Sequence, residues 1–254
     1  MPQMRDEAMT QPSFSIHGAG RDSRWLVTCD HASNRVPDWV SGGDLGIAPE
    51  DMARHIAWDP GAAGVTRALA DLLGAPAILS DFSRLVIDPN RGEDDPTLVM
   101  RLYDGTIIPA NRALDAAGRE ARLARLYRPY HAAYAEIAAQ HPARAICAIH
   151  SFTPQLRGRE ARPWQLGILY SHRDARLGPA LVLALRAQGW ITGENQPYKG
   201  HLDGDSIDRH ALAHGRPNVL IEVRNDLIAD EAGQRLWAGR LAPVVQAVLR
   251  DSGL

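Results

Sequence analysis

The sequence has few cysteines, no long apolar run and almost no net charge. Two cysteines among 254 residues argue against a disulfide framework and favour a cytoplasmic protein. No apolar stretch approaches the ~20 residues that a membrane-spanning helix needs. A net charge of -2 gives no electrostatic reason to expect binding to nucleic acid or to an anionic membrane. Residues 1–13 lack the apolar core of a secretory signal, and we expect them to form a flexible N-terminus.

Apolar strand patterns alternate with amphipathic helical patterns along the rest of the chain. This alternation predicts an α/β fold, a single domain over residues 14–254 with a mixed, mainly parallel sheet flanked by helices. We expect strands over residues 25–30, 77–80, 85–88, 145–149, 165–170 and 219–223. We expect helices starting at Asp59-Pro60 and ending at Gly74, over 112–139 with a break near Pro129, over 177–188, and from Asp230 onward. Residues 92–111 are predicted to be irregular.

Two histidines stand at the ends of predicted strands. His31 follows the strand that starts at Trp25, and His150 follows the apolar run Ala-Ile-Cys-Ala-Ile. Open α/β sheets place their chemistry at the carboxyl ends of strands. Catalytic zinc commonly takes three ligands from His, Asp or Glu and leaves one position for water. Each histidine alone is more typical of a hydrogen-bonded loop residue. The occurrence of both at strand ends, each followed by small polar residues, indicates a metal hydrolase instead.

The third ligand is open between three residues. Asp59 is a carboxylate at a predicted helix start, where N-capping would also explain it. Asn34 is near His31 but is a weak neutral ligand. Asp30 adjoins His31, yet neighbouring strand residues point in opposite directions. Of the three, we favour Asp59.

Glu222 lies inside the apolar run Val-Leu-Ile-Glu-Val. A charged group in a buried strand is costly unless it is paired or functional. Beside a metal-activated water such a carboxylate is a general base. The alternative is a structural ion pair with Arg224 or Arg84.

Other polar residues are candidates for substrate binding. Asn90 and Arg91 follow a predicted strand, and an arginine fork there could hold a substrate carboxylate or polarise a scissile carbonyl. Less support exists for Arg84, Arg224 and His131, and for Tyr198 in a polar turn, where plain loop structure is equally compatible. Cys29 and Cys147 lie in predicted buried strands, and we expect them to pack as small apolar residues.

Seven segments in order resemble motifs of the N-formylglutamate amidohydrolase family. They are residues 29–37, 58–62, 83–91, 127–131, 149–152, 194–198 and 221–226. That family is distantly similar to zinc carboxypeptidases, whose sites carry His-x-x-Glu, Asn-Arg, His-Ser-aromatic and a late Glu. Asn90-Arg91, His150-Ser-Phe and Glu222 match this series. The first motif departs from it, because Asn34 stands where the ligand Glu would be.

The resemblance implies a zinc-dependent amidohydrolase, or one using another divalent transition metal. Its substrate would be a small acidic N-acyl amino acid, with N-formyl-L-glutamate as the leading candidate, and its implied role is in histidine breakdown. His31, His150 and Asp59 would hold the metal, and Glu222 would be the base. Arg91 would bind a substrate carboxylate or act in catalysis by stabilising the oxyanion. Two alternatives remain: a carboxypeptidase or other N-acyl-amino-acid hydrolase, and a binding protein of the same fold without catalysis.

Overall fold

The computed structural model describes residues 12–141 and 143–254. The strands are β1 Phe14–His17, β2 Trp25–Cys29, β3 Ala77–Ser80, β4 Leu102–Tyr103, β5 Thr106–Ile107, β6 Ala145–Phe152, β7 Leu166–Leu169, β8 Thr192–Glu194 and β9 Asn218–Arg224. The helices are α1 Pro49–Met52, α2 Ala62–Leu72, α3 Pro109–Arg112, α4 Ala116–Arg122, α5 Arg128–Ala139, α6 Gly178–Ala187, α7 Ser206–His210 and α8 Glu231–Asp251. Among these described residues, no helix is long and apolar enough to cross a membrane.

Seven strands form one sheet in the order β1-β3-β2-β6-β9-β7-β8, and β4 pairs with β5 separately. The four strands β3, β2, β6 and β9 run parallel to one another. β1 is antiparallel to β3, and β7 is antiparallel to β9. The predicted mixed, mainly parallel α/β sheet is therefore confirmed.

Alternate residues of the central strands pack into two separate hydrophobic cores, one on each face of the sheet. In β6, Cys147 and Ile149 join the core formed with helices α2, α6 and α8. Ile146 and Ala148 of the same strand join the core on the opposite face, where α5 packs. This period of two explains why the central strands are apolar throughout, since helices cover both faces. Both cysteines are buried and unpaired, as expected.

Several predicted elements differ from the structure. Residues 85 and 86 lie in a turn and residues 87 and 88 are irregular, so no strand forms there. The segment 92–111, predicted to be irregular, contains the β4–β5 hairpin and most of α3. The sequence analysis did not predict β1 or β8, which are short strands at the two edges of the sheet. Of the predicted flexible N-terminus, residues 1–11 lie outside the described residues. Ser13 is buried, and its carbonyl accepts a hydrogen bond from the amide of Asp81.

The predicted helix break near Pro129 is also wrong. α4 continues into a π-helical segment, Leu123–Tyr127, and then directly into α5. Pro129 lies in the first turn of α5. The wider turn accommodates the proline, whose missing amide would otherwise interrupt the helical ladder.

The start of α2 matters most for the site. Asp59 does not cap this helix; the N-cap is Gly61, with a φ of +81°. A side chain at Gly61 would strike the Ile228 carbonyl, since a Cβ there would lie 2.2 Å from that oxygen. The left-handed glycine turns the chain into the helix and leaves the Asp59 carboxylate free to point elsewhere.

Candidate active site

Three neighbouring parallel strands deliver polar side chains to one edge of the sheet. Asp30 and His31 follow β2, and His150 and Glu222 lie side by side near the carboxyl ends of β6 and β9. β6 runs on to Phe152, so His150 lies within the strand rather than after it. The amide of Asp59 donates to the His31 carbonyl at 2.9 Å, which fixes the Asp59 turn beside the end of β2.

His31, Asp59 and His150 form a compact buried group. Their ligating atoms all lie within 4.8 Å of one another. Asp59 Oδ2 is 2.9 Å from His150 Nδ1 and 3.3 Å from His31 Nδ1. The three side chains are at most 4% exposed. The structure thus brings together the three residues that the sequence analysis favoured as metal ligands, whereas Asn34 donates its amide to the Met52 carbonyl.

Each imidazole has a second carboxylate on its other nitrogen. His31 Nε2 lies 2.7 Å from Asp88 Oδ1. His150 Nε2 lies 3.5 Å from Asp30 Oδ2, an ion-pair distance too long for a well-formed hydrogen bond. A carboxylate on Nε2 favours the tautomer with the proton there, which leaves the Nδ1 lone pair facing Asp59.

This arrangement fits a divalent metal. With Nε2 protonated, two Nδ1 lone pairs and one carboxylate oxygen face each other, and three acceptors cannot satisfy one another without a cation between them. Two imidazoles and a carboxylate are a typical donor set for catalytic zinc. The carboxylates behind the imidazoles are the outer partners that metal-ligating histidines usually have.

The electrostatics of the group keep its carboxylates ionised. Burial raises the pKa of Asp59, but His31 and His150 outweigh it and hold that pKa below its usual value. Burial likewise opposes ionisation of Asp88, whose pKa is nevertheless held well below normal by Arg84 and His31. Burial lowers the pKa of His150, but Asp30, Asp59 and Glu222 raise it well above normal. A metal would therefore displace protons as it binds.

Glu222 is the exception among these acids. It is 5% exposed, and its Oε2 has no hydrogen-bond partner among the described residues. Burial is the largest effect and raises its pKa to about 7, against the opposing charge of His150. It does not make the structural ion pair considered above, since Arg224 pairs with Asp226 and Arg84 pairs with Asp59 and Asp88.

A cavity of about 250 Å³ opens beside this group. That is smaller than the ~300–1,000 Å³ of pockets that hold drug-sized ligands, so the cavity suits a small substrate. Its walls are formed by residues from the sheet edge and from the loops that cover it: His31, His55, Asp59, Arg84, Asn90, Arg91, Tyr103, His150, Ser151, Leu169, Tyr198, Lys199, His201, Leu202, Asp205, Leu220 and Glu222.

Most of the predicted substrate-binding residues line the cavity. Arg84, Asn90, Arg91 and Tyr198 do so. Arg84 reaches Asp59 and Asp88 at 3.4 and 3.0 Å, so it braces the carboxylates of the candidate metal group.

Two of the predicted substrate-binding residues are not among the residues that line the cavity. His131 is buried, with Nδ1 2.8 Å from His210 Nε2 and Nε2 3.0 Å from the Pro89 carbonyl. Arg224 pairs with Asp226. His131 lies within α5, which continues through Pro129 instead of breaking there, and its ring is on the buried side of that helix.

Sequence reasoning missed three parts of the site. Asp88 was read only as the end of a strand, although a carboxylate in an apolar run was the same signal that marked Glu222. Asp30 was considered as a ligand and not as the partner of His150. Lys199 and His201 sit in a loop after β8, where no strand was predicted, so nothing in the pattern brought them to the sheet edge.

A buried donor set of this kind, next to an unpaired glutamate and a small cavity, is characteristic of hydrolases that use a metal ion to attack amide bonds. The family model for N-formylglutamate amidohydrolase matches residues 23–229. The chain therefore belongs to the N-formylglutamate amidohydrolase family, a family of hydrolases acting on amide bonds, as its motifs predicted.

The chain is also similar to individual known proteins. An N-formylglutamate deformylase of Pseudomonas aeruginosa is 29% identical over 205 residues, covering 72% of this chain and 75% of that protein. A crystal structure of a gene product of Agrobacterium tumefaciens is 35% identical, with a TM-score of 0.90 over 96% of this chain and 98% of that one. The N-formylglutamate amidohydrolase of Ralstonia eutropha JMP134 shares the fold at 23% identity, with a TM-score of 0.74 over 95% and 100% of the two chains.

Proposed function

We propose that this protein hydrolyses N-formyl-L-glutamate, with water, to formate and L-glutamate, and that it uses a divalent metal, zinc in the first instance. The observation that carries the proposal is the buried His31–Asp59–His150 group beside Glu222. The deformylase names of the curated relatives supply the substrate.

His31, Asp59 and His150 would hold the metal. A metal held there would supply Lewis-acid chemistry, since it would polarise the formyl carbonyl and lower the pKa of water toward neutrality. The protein's own contribution is to fix the donors. Asp88 orients the His31 ring, and Arg84 together with the Ser151 amide orients the Asp59 carboxylate.

Glu222 is the proposed general base. It is buried beside His150 and lines the cavity, and its Oε2 has no partner in the described chain. A carboxylate with a pKa near 7 is well matched to taking a proton from water at neutral pH and passing it to the departing amine. In this scheme the proton that Glu222 accepts balances the protonation of the glutamate nitrogen when the C–N bond breaks.

Arg91 is the proposed anchor for a substrate carboxylate. It lines the cavity, and its side chain donates to Thr97 Oγ1 at 3.2 Å and to the Asn90 carbonyl at 2.9 Å. These two bonds hold the guanidinium in place and leave its remaining N–H groups available to a carboxylate.

Turnover assays with metal analysis test this function. The purified protein, as isolated and after chelation and reloading with zinc, should release formate from N-formyl-L-glutamate only when metal is present. N-acetyl-L-glutamate and short peptides serve as the comparison substrates. A protein that releases acetate or amino acids faster than formate would instead be another N-acyl-amino-acid hydrolase or a carboxypeptidase. A protein with no turnover on any of them would support the binding-protein alternative. A cytoplasmic location and a role in histidine breakdown remain predictions.

A further inference from the structure

The cavity contains more basic side chains than the reaction itself needs. Besides the two histidines of the candidate metal group, Arg84, Arg91, His55, His201 and Lys199 line it. Three of these are already matched to carboxylates: Arg84 contacts Asp59 and Asp88, His55 lies 3.7 Å from Asp104, and His201 lies 2.9 Å from Asp203.

Arg91 and Lys199 have no carboxylate within ion-pair distance among the described residues. Lys199 makes no hydrogen bond there either, and its side chain is exposed. It is also the only lysine in the sequence, in a protein whose other basic side chains are arginine and histidine. An exposed side chain that also lines the cavity must lie where the cavity opens to solvent.

The backbone that carries Lys199 is held on both sides. Before it, Asn195 Oδ1 accepts a hydrogen bond from the Tyr170 amide at 3.0 Å. After it, a Cβ at Gly200 would lie 2.1 Å from the Tyr170 carbonyl oxygen, so this part of the loop packs tightly against β7's end. His201 Nδ1 is 3.0 Å from Ser171 Oγ. The loop is thus fastened to the residues after β7, while the Lys199 ammonium itself is left without a partner.

We propose that Lys199 binds the side-chain carboxylate of the substrate and makes the site selective for dicarboxylic N-acyl amino acids. The proposal rests on the proposed function. Two unpaired cations in the cavity match the two carboxylates of an N-acyl glutamate or aspartate. A monocarboxylic substrate would leave one of them without a partner.

The positions of the two cations assign one carboxylate to each. Arg91 is only partly exposed, whereas Lys199 is exposed, and both line the cavity. We therefore assign Arg91 to the inner part of the cavity, beside the candidate metal group. The α-carboxylate is attached to the carbon next to the scissile nitrogen and must stay near that end. The side-chain carboxylate lies farther from the reacting bond and faces the opening, where Lys199 stands.

The experiment compares two substrates that differ by one charge. We measure kcat/KM for N-formyl-L-glutamate and for N-formyl-L-glutamine, in which an amide of the same shape replaces the side-chain carboxylate. Both substrates are tested with the wild-type enzyme, with Lys199→Met and with Lys199→Arg. We expect Lys199→Met to lower the glutamate-to-glutamine ratio of kcat/KM by roughly 5- to 50-fold, between the effects of an exposed ion pair and of a charged hydrogen bond. The loss should appear in KM more than in kcat, and Lys199→Arg should restore most of the ratio.

Arg112→Met is the matched control. Arg112 is exposed in α3 and is not among the residues that line the cavity, so this variant removes one positive charge without touching the site. Its substrate ratio should equal that of the wild type. If Lys199→Met lowers kcat/KM for both substrates by the same factor, or changes it for neither, Lys199 is not the specificity residue.

A binding measurement separates this proposal from the proposed function. Calorimetric titration of zinc-loaded protein with L-glutamate and with L-glutamine needs no turnover. Tighter binding of glutamate, lost in Lys199→Met and kept in Lys199→Arg, supports the role of Lys199 even if formate release fails. Equal affinity for the two amino acids in wild-type protein overturns it even if the enzyme is an active deformylase.

Discussion

Two pairs of buried histidines, His31 with His150 and His131 with His210, differ in the partners that surround them. The rings of His31 and His150 are 5.0 Å apart and nearly perpendicular. The rings of His131 and His210 are 5.1 Å apart and stacked, with a 19° angle between their planes. Ring spacing and burial do not distinguish the two pairs. Their partners do.

Carboxylates surround the first pair, whereas no carboxylate among the described residues makes a hydrogen bond to the second pair. His31 and His150 both face Asp59 with Nδ1, and Asp88 and Asp30 lie behind them. In the second pair, His131 Nε2 donates to the Pro89 carbonyl, so its Nδ1 accepts from His210 Nε2. Two neutral imidazole rings therefore account for the hydrogen bonds of this pair, without a carboxylate or a metal.

The pKa values follow from this difference. The pKa of His150 is raised well above normal because its carboxylates outweigh burial. Burial lowers the pKa of His131 to about 4 and that of His210 to about 2. A buried imidazole is therefore ready to exchange its proton for a metal only where negative charge surrounds it.

The largest effect is expected when one histidine is removed from the first pair instead of the second. His150→Ala removes a proposed metal ligand, whereas His210→Ala removes a ring of the other pair. We expect the first variant to lose its zinc and to fall to background turnover, and the second to keep stoichiometric zinc once folded. Metal analysis by mass spectrometry on the purified variants measures this. Full zinc occupancy in His150→Ala would show that the two pairs are not functionally distinct.

The next largest effect is expected at Glu222, the proposed general base, which lies beside the first pair. Glu222→Gln keeps the shape of the side chain and removes its ability to accept a proton. Zinc content and substrate KM should be kept, while kcat falls by roughly 100- to 10,000-fold, the usual size of general-base catalysis.

The pH profile adds a signature that a structural role would not give. In wild-type enzyme kcat/KM should rise with pH, with a midpoint at or below about 7, because Glu222 must be ionised and a bound cation lowers its pKa further. That rising limb should be missing in Glu222→Gln. Normal turnover in this variant would leave the catalytic base unidentified.

A smaller effect is expected at the carboxylate behind His31. Asp88→Asn keeps a hydrogen-bond acceptor but removes the charge that Nε2 faces at 2.7 Å. Loss of such an outer partner typically costs 10- to 100-fold in metal affinity. Zinc affinity from competition with a chelator measures this, with Asp208→Asn, which removes an exposed ion pair with Arg173, as the control. Equal zinc affinities would mean that Asp88 supports the fold only.

The sheet-edge part of this site was predictable from sequence. His31, His150 and Glu222 each stand near the end of a strand pattern, and parallel neighbouring strands end at the same edge. Asp59 was the harder prediction, because Asp followed by Pro is equally typical of a helix start. Only the left-handed Gly61 shows that the helix begins later and that the carboxylate is free for the histidines.

The remaining parts depend on long-range packing that a local pattern does not encode. The segment Arg-Pro-Tyr before His131 suggested a helix break and therefore a site residue. In the structure a π-helical segment runs directly into α5, so the helix does not break, and the His131 ring contacts His210. Lys199 lies on a loop after a three-residue strand that alternation could not detect. Its position in the cavity comes from the fastening of that loop to Tyr170 and Ser171.

The smallest effect is expected in the pH dependence of stability that the second pair contributes. Because the folded protein lowers the pKa of His131 to about 4 and that of His210 to about 2, while an ordinary histidine has a pKa near 6.5, the unfolded chain binds more protons between these values. The stability that this pair contributes is therefore complete above about pH 6.5 and is lost as the pH falls toward 4 and below. Each group contributes at most about 1.4 kcal/mol per pH unit to the slope.

Urea unfolding of wild type and His210→Asn at a series of pH values between 7 and 4 measures that slope. Asn does not titrate, so the free energy of unfolding of the variant should fall less steeply with decreasing pH than that of the wild type. The first histidine pair is present in both proteins and cancels in the comparison. His172→Asn, which removes an exposed histidine, is the control for the loss of any one imidazole. Parallel slopes for wild type and His210→Asn would mean that the second pair takes up protons in the fold as readily as in the unfolded chain, and that carboxylate surroundings are not what separates the two pairs.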